Sequence, residues 1–191
     1  LIMTEKNFNI FFDLGSSRIR ASAFNKNDKE KIFLTEEDCY SSFKSGQINL
    51  SEIEKKIENI IFELEKKTDE YIDSINLMLD AQEALSINLS LSKKKDNEVI
   101  SSEDIQYLIN DAKQQILKFN PNINIIHIII KNYNVDNKEF TEPPIGIACN
   151  LFSIEFIFIC FPKILVKSLE DLFFKFQISV NKILCSSYTK S

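Results

Sequence analysis

The chain has 191 residues, which suits one medium domain or two small ones. Hydrophobic residues make up 44% and charged residues 27%, enough apolar material for a core and against a wholly disordered chain. The formal net charge is −5, and no dense cluster of Lys and Arg is present, which argues against nucleic acid and anionic lipid as partners.

The four cysteines, Cys39, Cys149, Cys160 and Cys185, stand far apart, and His127 has no nearby partner. This is not the spacing of a zinc site, so reduced, buried, cytosolic thiols are expected. The opening Leu1-Ile2-Met3-Thr4-Glu5-Lys6 carries no apolar h-region. The longest apolar run, 151–161, is interrupted by Ser153 and Glu155 and is far shorter than the ~20 residues that span a bilayer. No membrane-spanning helix is expected.

Residues 8–14 read as a buried strand that Gly15 breaks. Residues 18–24 alternate, with Ile19, Ala21 and Ala23 opposing Arg18, Arg20 and Ser22, which predicts a half-buried strand. A short strand over 31–34 would complete a meander. Ser51 and Glu54 have capping-box spacing, and Ile53, Ile57, Ile60, Ile61 and Leu64 share one helical face. Strands are predicted over 74–80 and 85–91, with Lys93–Asn97 as a solvated turn. Ser102 reads as the N-cap of a second helix with Ile105, Leu108, Ile109, Ala112 and Ile116 inward. The β-branched run 123–130 predicts a strand, 136–146 a polar loop, and 147–161 a long strand. Pro162 then opens a third helix, and 178–184 predicts a last strand. The middle block reads as a small α+β unit inserted into an α/β domain.

The segment Phe12-Asp13-Leu14-Gly15-Ser16-Ser17-Arg18-Ile19 places Asp at a strand end, followed by Gly and two hydroxyls in a tight hairpin. Backbone N–H groups and Ser hydroxyls so placed can donate to phosphate, and the Asp13 carboxylate can hold Mg²⁺ through water. The plain alternative is a β-hairpin with Gly at its turn. The pattern is similar to the phosphate-1 loop of the actin, Hsp70 and sugar-kinase superfamily. Further segments resemble one branch of it. These are Ser45-Gly46-Gln47-Ile48-Asn49-Leu50, the strand Asn124–Ile129 with His127 followed by Tyr133-Asn134-Val135-Asp136, then Glu142-Pro143-Pro144-Ile145-Gly146-Ile147, and Ile183–Tyr188. In order and spacing they resemble the bacterial cell-division protein FtsA over 8–188. The chain departs from that pattern at Asp80-Ala81-Gln82, where a Ser-Gly turn is usual, and at Lys131-Asn132, where a proline is usual. His127 itself reads as a structural histidine.

The resemblance implies an α/β fold: part of an actin-like, ribonuclease H-like subdomain 1A with an inserted α+β SHS2 subdomain, called 1C. The expected limits are 8–73 for the first part of 1A, 74–162 for SHS2/1C and 163–188 for the return to 1A. Asp13, Gly15, Ser16 and Ser17 would bind the phosphates of ATP, with Asp13 touching Mg²⁺ through water in a complete protein. No counterpart of the second phosphate loop or adenosine segment is present, so the chain is expected to be a fragment or truncation that binds ATP weakly and catalyses nothing alone. The full protein would tether FtsZ filaments through its missing C-terminal half, recruit later division proteins through 1C, and polymerise. It would be cytoplasmic, peripheral at the inner face of the membrane, with no nucleic acid and no transmembrane segment. The alternatives are a sugar-kinase-like phosphotransferase and a pilus-assembly protein of the same superfamily.

Overall fold

A computed structural model describes residues 8–15, 17–27, 31–38, 50–80 and 84–186, without the side chains of 31–34 and 50–52. Its elements in chain order are β1 (Phe8–Leu14), β2 (Arg18–Asn25), β3 (Lys31–Asp38), α1 (Leu50–Thr68), β4 (Ser74–Leu79), β5 (Leu85–Val99), α2 (Ser102–Phe119), β6 (Ile123–Val135), β7 (Lys138–Phe140), β8 (Ala148–Pro162), α3 (Lys163–Phe174) and β9 (Ser179–Cys185). They form two units, Leu1–Ala84 with Ile164–Ser191, and Leu85–Lys163.

The first unit is a five-stranded sheet in the order β3-β2-β1-β4-β9. The β1–β2 and β2–β3 pairs are antiparallel, whereas β1–β4 and β4–β9 are parallel. Parallel neighbours need a crossover, and α1 precedes β4 while α3 precedes β9. Alternation sets the core. Ile10, Phe12 and Leu14 are buried on β1, and Ala23, Ala21 and Ile19 face them in register on β2. Large stands opposite small at Phe12 and Ala21. The apolar stripe predicted for α1, Ile53 to Leu64, is buried throughout, as are Leu169, Leu172 and Phe173 of α3. Phe173 meets Phe12 edge to face, ring centroids 5.2 Å apart. The capping reading at Ser51 lies outside the described side chains.

The second unit is an antiparallel sheet in the order β5-β8-β6-β7 with one helix, α2. Phe152, Ile154, Phe156, Phe158 and Cys160 alternate along central β8 and are buried, in one core with Leu108, Ala112 and Ile116 of α2. Tyr133 of β6 stacks on Phe152 with ring centroids 6.4 Å apart. The polar loop expected from residue 136 holds a strand. Asp136 and Asn137 have φ of 45° and 70°, the paired positive φ of a two-residue hairpin turn, which folds β7 onto β6. The Asp136 carboxylate also accepts backbone N–H groups of Asn150 and Leu151 at 2.8–3.1 Å. At Gly146 φ is +85°, a value that suits glycine, and its N–H donates to the Ile100 carbonyl.

Three expectations are corrected. The inserted unit begins at Leu85 and not at residue 74, because β4 pairs with β1 and β9 and so belongs to the first sheet. The N-cap of α2 is Ser101, not Ser102: Ser101 Oγ accepts the Asp104 N–H, and the Asp104 carboxylate accepts the Ser101 N–H in return. Lys93–Asn97 is not a solvated turn. Strand β5 runs to Val99 through a bulge, with Asp96 and Asn97 at positive φ. The cause is Asp104, buried to 5% exposure, which binds Lys93 Nζ at 2.6 Å and Lys95 Nζ at 2.8 Å. Lys95 is itself only 8% exposed.

Burial pushes the Asp104 carboxyl upward, but hydrogen bonds from Lys93, Lys95 and the Ser101 N–H outweigh it and hold the group well below the usual carboxylate range. A folded pKa below the unfolded one means that acid is taken up on unfolding. The stabilisation is therefore present above the unfolded value of ~4 and is lost as pH falls below it. Asp104→Asn, which leaves Lys95 buried against a neutral amide, is expected to destabilise the second unit by roughly 2–4 kcal/mol in urea unfolding at neutral pH. The gap between wild type and variant should shrink on acidification below pH ~4. In the first unit, Phe12→Ala is expected to cost about 3–5 kcal/mol by the same measurement, since Phe12 has no exposed surface.

Candidate functional site

The carboxyl ends of β1, β4 and β9 lie side by side, with Leu14 in register with Leu79 and Leu79 with Cys185. In open α/β sheets, ligands bind outside the carboxyl ends of parallel strands. A pocket of about 140 Å³ sits there, lined by Asp13, Gly15, Ser17, Arg18 and Arg20 from the β1–β2 hairpin and by Asp80 and Ser186 from beyond β4 and β9. The Asp80 N–H donates to the Leu14 carbonyl at 3.2 Å, which extends the parallel pairing one residue past the strand.

Asp13 is the centre of the polar contacts. Its Oδ1 accepts a hydrogen bond from Ser186 Oγ at 3.3 Å, and its Oδ2 lies 3.8 Å from Arg20 Nη1. Arg20 Nε lies 3.4 Å from Glu36 Oε2, Arg18 Nη1 is 3.0 Å from Glu36 Oε1, and Arg18 Nε is 3.2 Å from Asp38 Oδ1. Strand register creates this row: Asp13 faces Arg20, Arg20 faces Glu36, and Arg18 faces Asp38. Cross-strand pairs of opposite charge support the sheet as well as the pocket. Gly15 closes the hairpin. Its N–H donates to the Arg18 carbonyl at 3.0 Å, and a Cβ at Gly15 would sit 3.2 Å from that oxygen.

Of the residues that the sequence assigns to phosphate, Asp13, Gly15 and Ser17 come together in this pocket, and Ser16 lies outside the described residues. The Gly15 N–H is committed to the hairpin, so the loop offers a phosphate fewer backbone donors than the sequence pattern suggests. Asp80, Ser186 and Arg20 are site residues that local reading misses. The signal for two of them is positional: each is the first residue after a parallel strand. The Asp13 carboxylate, expected to touch Mg²⁺ through water in a complete protein, has the Arg20 guanidinium beside it.

His127 and the cysteines are the other side chains of potential reactivity. His127 stands on β6, half-buried, and burial lowers its pKa below the ordinary imidazole value. Cys149, Cys160 and Cys185 are buried and stand outside any disulfide. Burial raises the pKa of Cys149 and Cys160, which keeps them protonated and unreactive. Cys39 lies outside the described residues. Among the described residues no helix is long and apolar enough to cross a membrane.

Residues 82–160 match the family model of the SHS2 domain inserted in FtsA. The inserted unit is an FtsA-type SHS2 domain. Its match begins three residues before Leu85, where the second unit starts. A solved PilM–PilN type IV pilus biogenesis complex resembles the chain with 8% identity and a TM-score of 0.59, covering 94% of this chain and 47% of that one. The cytoplasmic domain of EpsL, an inner membrane component of the type II secretion system of Vibrio cholerae, matches with 11% identity and a TM-score of 0.42, over 93% of this chain and 57% of that one. A Bacteroides thetaiotaomicron protein with an actin-like ATPase fold matches with 14% identity and a TM-score of 0.37, over 95% of this chain and 53% of that one. At such identities the likeness is one of fold. The chain spans about half the length of the solved structures it matches. No curated protein matches the chain. The chain shares its fold with the PilM–PilN structure, a mixed α/β fold whose first sheet is interrupted by an FtsA-type SHS2 unit.

Proposed function

We propose that this chain is the 1A and 1C portion of an FtsA-like cell-division scaffold. One observation carries the proposal: an SHS2 unit of the FtsA type interrupts an actin-like unit between β4 and α3. Under this reading, Leu1–Ala84 with Ile164–Ser191 is subdomain 1A and Leu85–Lys163 is subdomain 1C. The scaffold would lie peripherally at the inner face of the cell membrane and polymerise, tethering FtsZ filaments through chain outside these 191 residues.

Recruitment of later division proteins falls to the SHS2 unit. That role needs surface for protein recognition and no catalytic group. The outer edge of β5 ends its sheet among the described strands, and the exposed flank of α2 carries Tyr107 and Phe119. Unpaired strand edges and apolar helix flanks are common modes of peptide recognition.

The strand-end pocket would serve as the phosphate end of an ATP site that a second lobe completes. A pocket of about 140 Å³ holds little more than a phosphate group, and most of an ATP molecule would lie outside it. The isolated chain is expected to bind ATP weakly. Isothermal calorimetry should show a Kd no tighter than about 1 mM, and micromolar binding would refute the half-site reading. In cells, a fluorescent fusion of the protein is expected to gather at the division site, and its depletion to give undivided filaments. Normal division with loss of surface pili would instead favour a pilus-assembly role.

A further inference from the structure

The pocket contains one pairing that a phosphate loop does not require. Arg20 stands opposite Asp13 in the β1–β2 register, and its Nη1 lies 3.8 Å from Asp13 Oδ2. On its far side, Arg20 Nε lies 3.4 Å from Glu36 Oε2, so two carboxylates bracket the guanidinium. Glu36 is in turn held by Arg18, which also meets Asp38. Arg20 is thus anchored by a row of alternating charges fixed by strand register. The second oxygen of Asp13 is taken by the Ser186 hydroxyl. The Asp13 side chain is only 19% exposed, so solvent screens its charge less than that of a surface carboxylate.

We propose that Arg20 is the resident counter-ion of this pocket and takes the place on Asp13 that a divalent metal ion would otherwise fill. The inference rests on reading the pocket as the phosphate end of an actin-like site. Mg²⁺ sheds its water reluctantly and is drawn to carboxylates with uncompensated negative charge. A guanidinium within 4 Å compensates that charge and repels a second cation. The positive charge at this end of the pocket is then part of the chain itself.

Mn²⁺ binding to the whole chain, followed by electron paramagnetic resonance at neutral pH, tests this. The wild-type chain is expected to hold Mn²⁺ no more tightly than Asp13→Asn. Arg20→Gln should bind it about tenfold or more tightly than wild type, and the double variant Arg20→Gln/Asp13→Asn should lose the gain. Arg20→Lys, which keeps the charge, should stay at the wild-type level. Arg20 is nearly half-exposed, so these changes leave the core intact. Arg20→Met keeps the packing of the stem and repeats the measurement should Arg20→Gln lose its native circular dichroism. Asp13-dependent Mn²⁺ binding by the wild-type chain overturns the proposal whatever the variants do. So does a folded, charge-removed variant that gains nothing. Metal occupancy is read on the chain alone, so its outcome is separate from where the protein gathers in the cell.

Discussion

The parallel pairing of β9 with β4 is the constraint on which the architecture depends. It brings Cys185 beside Leu79 although the SHS2 unit and α3 lie between them in the chain. Bringing distant segments together costs loop-closure entropy, which grows slowly with loop length, so a folded insertion adds little to it. The insertion meets its own condition as well. Leu85 and Cys160, near its two ends, are paired in register, so the SHS2 unit leaves and rejoins the chain at neighbouring points. The same pairing creates the pocket, since it carries Asp80 and Ser186 to the end of β1.

Charge has two different uses in the two units. Asp104 draws Lys93 and Lys95 toward the start of α2, which pins the bulged end of β5 to the helix cap. A buried cluster of this kind is costly to break on one side and serves position more than net stability. The row from Asp13 to Asp38 is more exposed and its pairs are longer, so each contributes little to stability. Its effect is local: it fixes the side chains around the strand-end pocket and sets what charge a ligand meets there.

The proposed role in protein recognition draws on the SHS2 unit and not on the strand-end pocket. The pocket offers the carboxylates of Asp13 and Asp80, whereas burial keeps Cys149 and Cys160 protonated in the core of the other unit. The SHS2 unit adds an edge strand and a helix flank that a partner can read.

Local pattern by itself determined a good deal. The alternation of Ile10, Phe12 and Leu14, the one-sided stripe of α1 and the long apolar β8 each announce their element, because side-chain periodicity is a property of the segment. Asp13, Gly15 and Ser17 were legible as one loop for the same reason: they are neighbours in sequence. Only the tertiary structure decided that β4 belongs with β1 and not with β5. An alternating strand shows which face is buried but not which strand pairs with it. It alone showed that Lys95 turns inward, since that depends on Asp104, nine residues further on and across a helix cap. And it alone placed Arg20 on Asp13 and added Asp80 and Ser186 to the pocket, because strand pairing across long stretches of chain is a long-range choice that short-range periodicity leaves open.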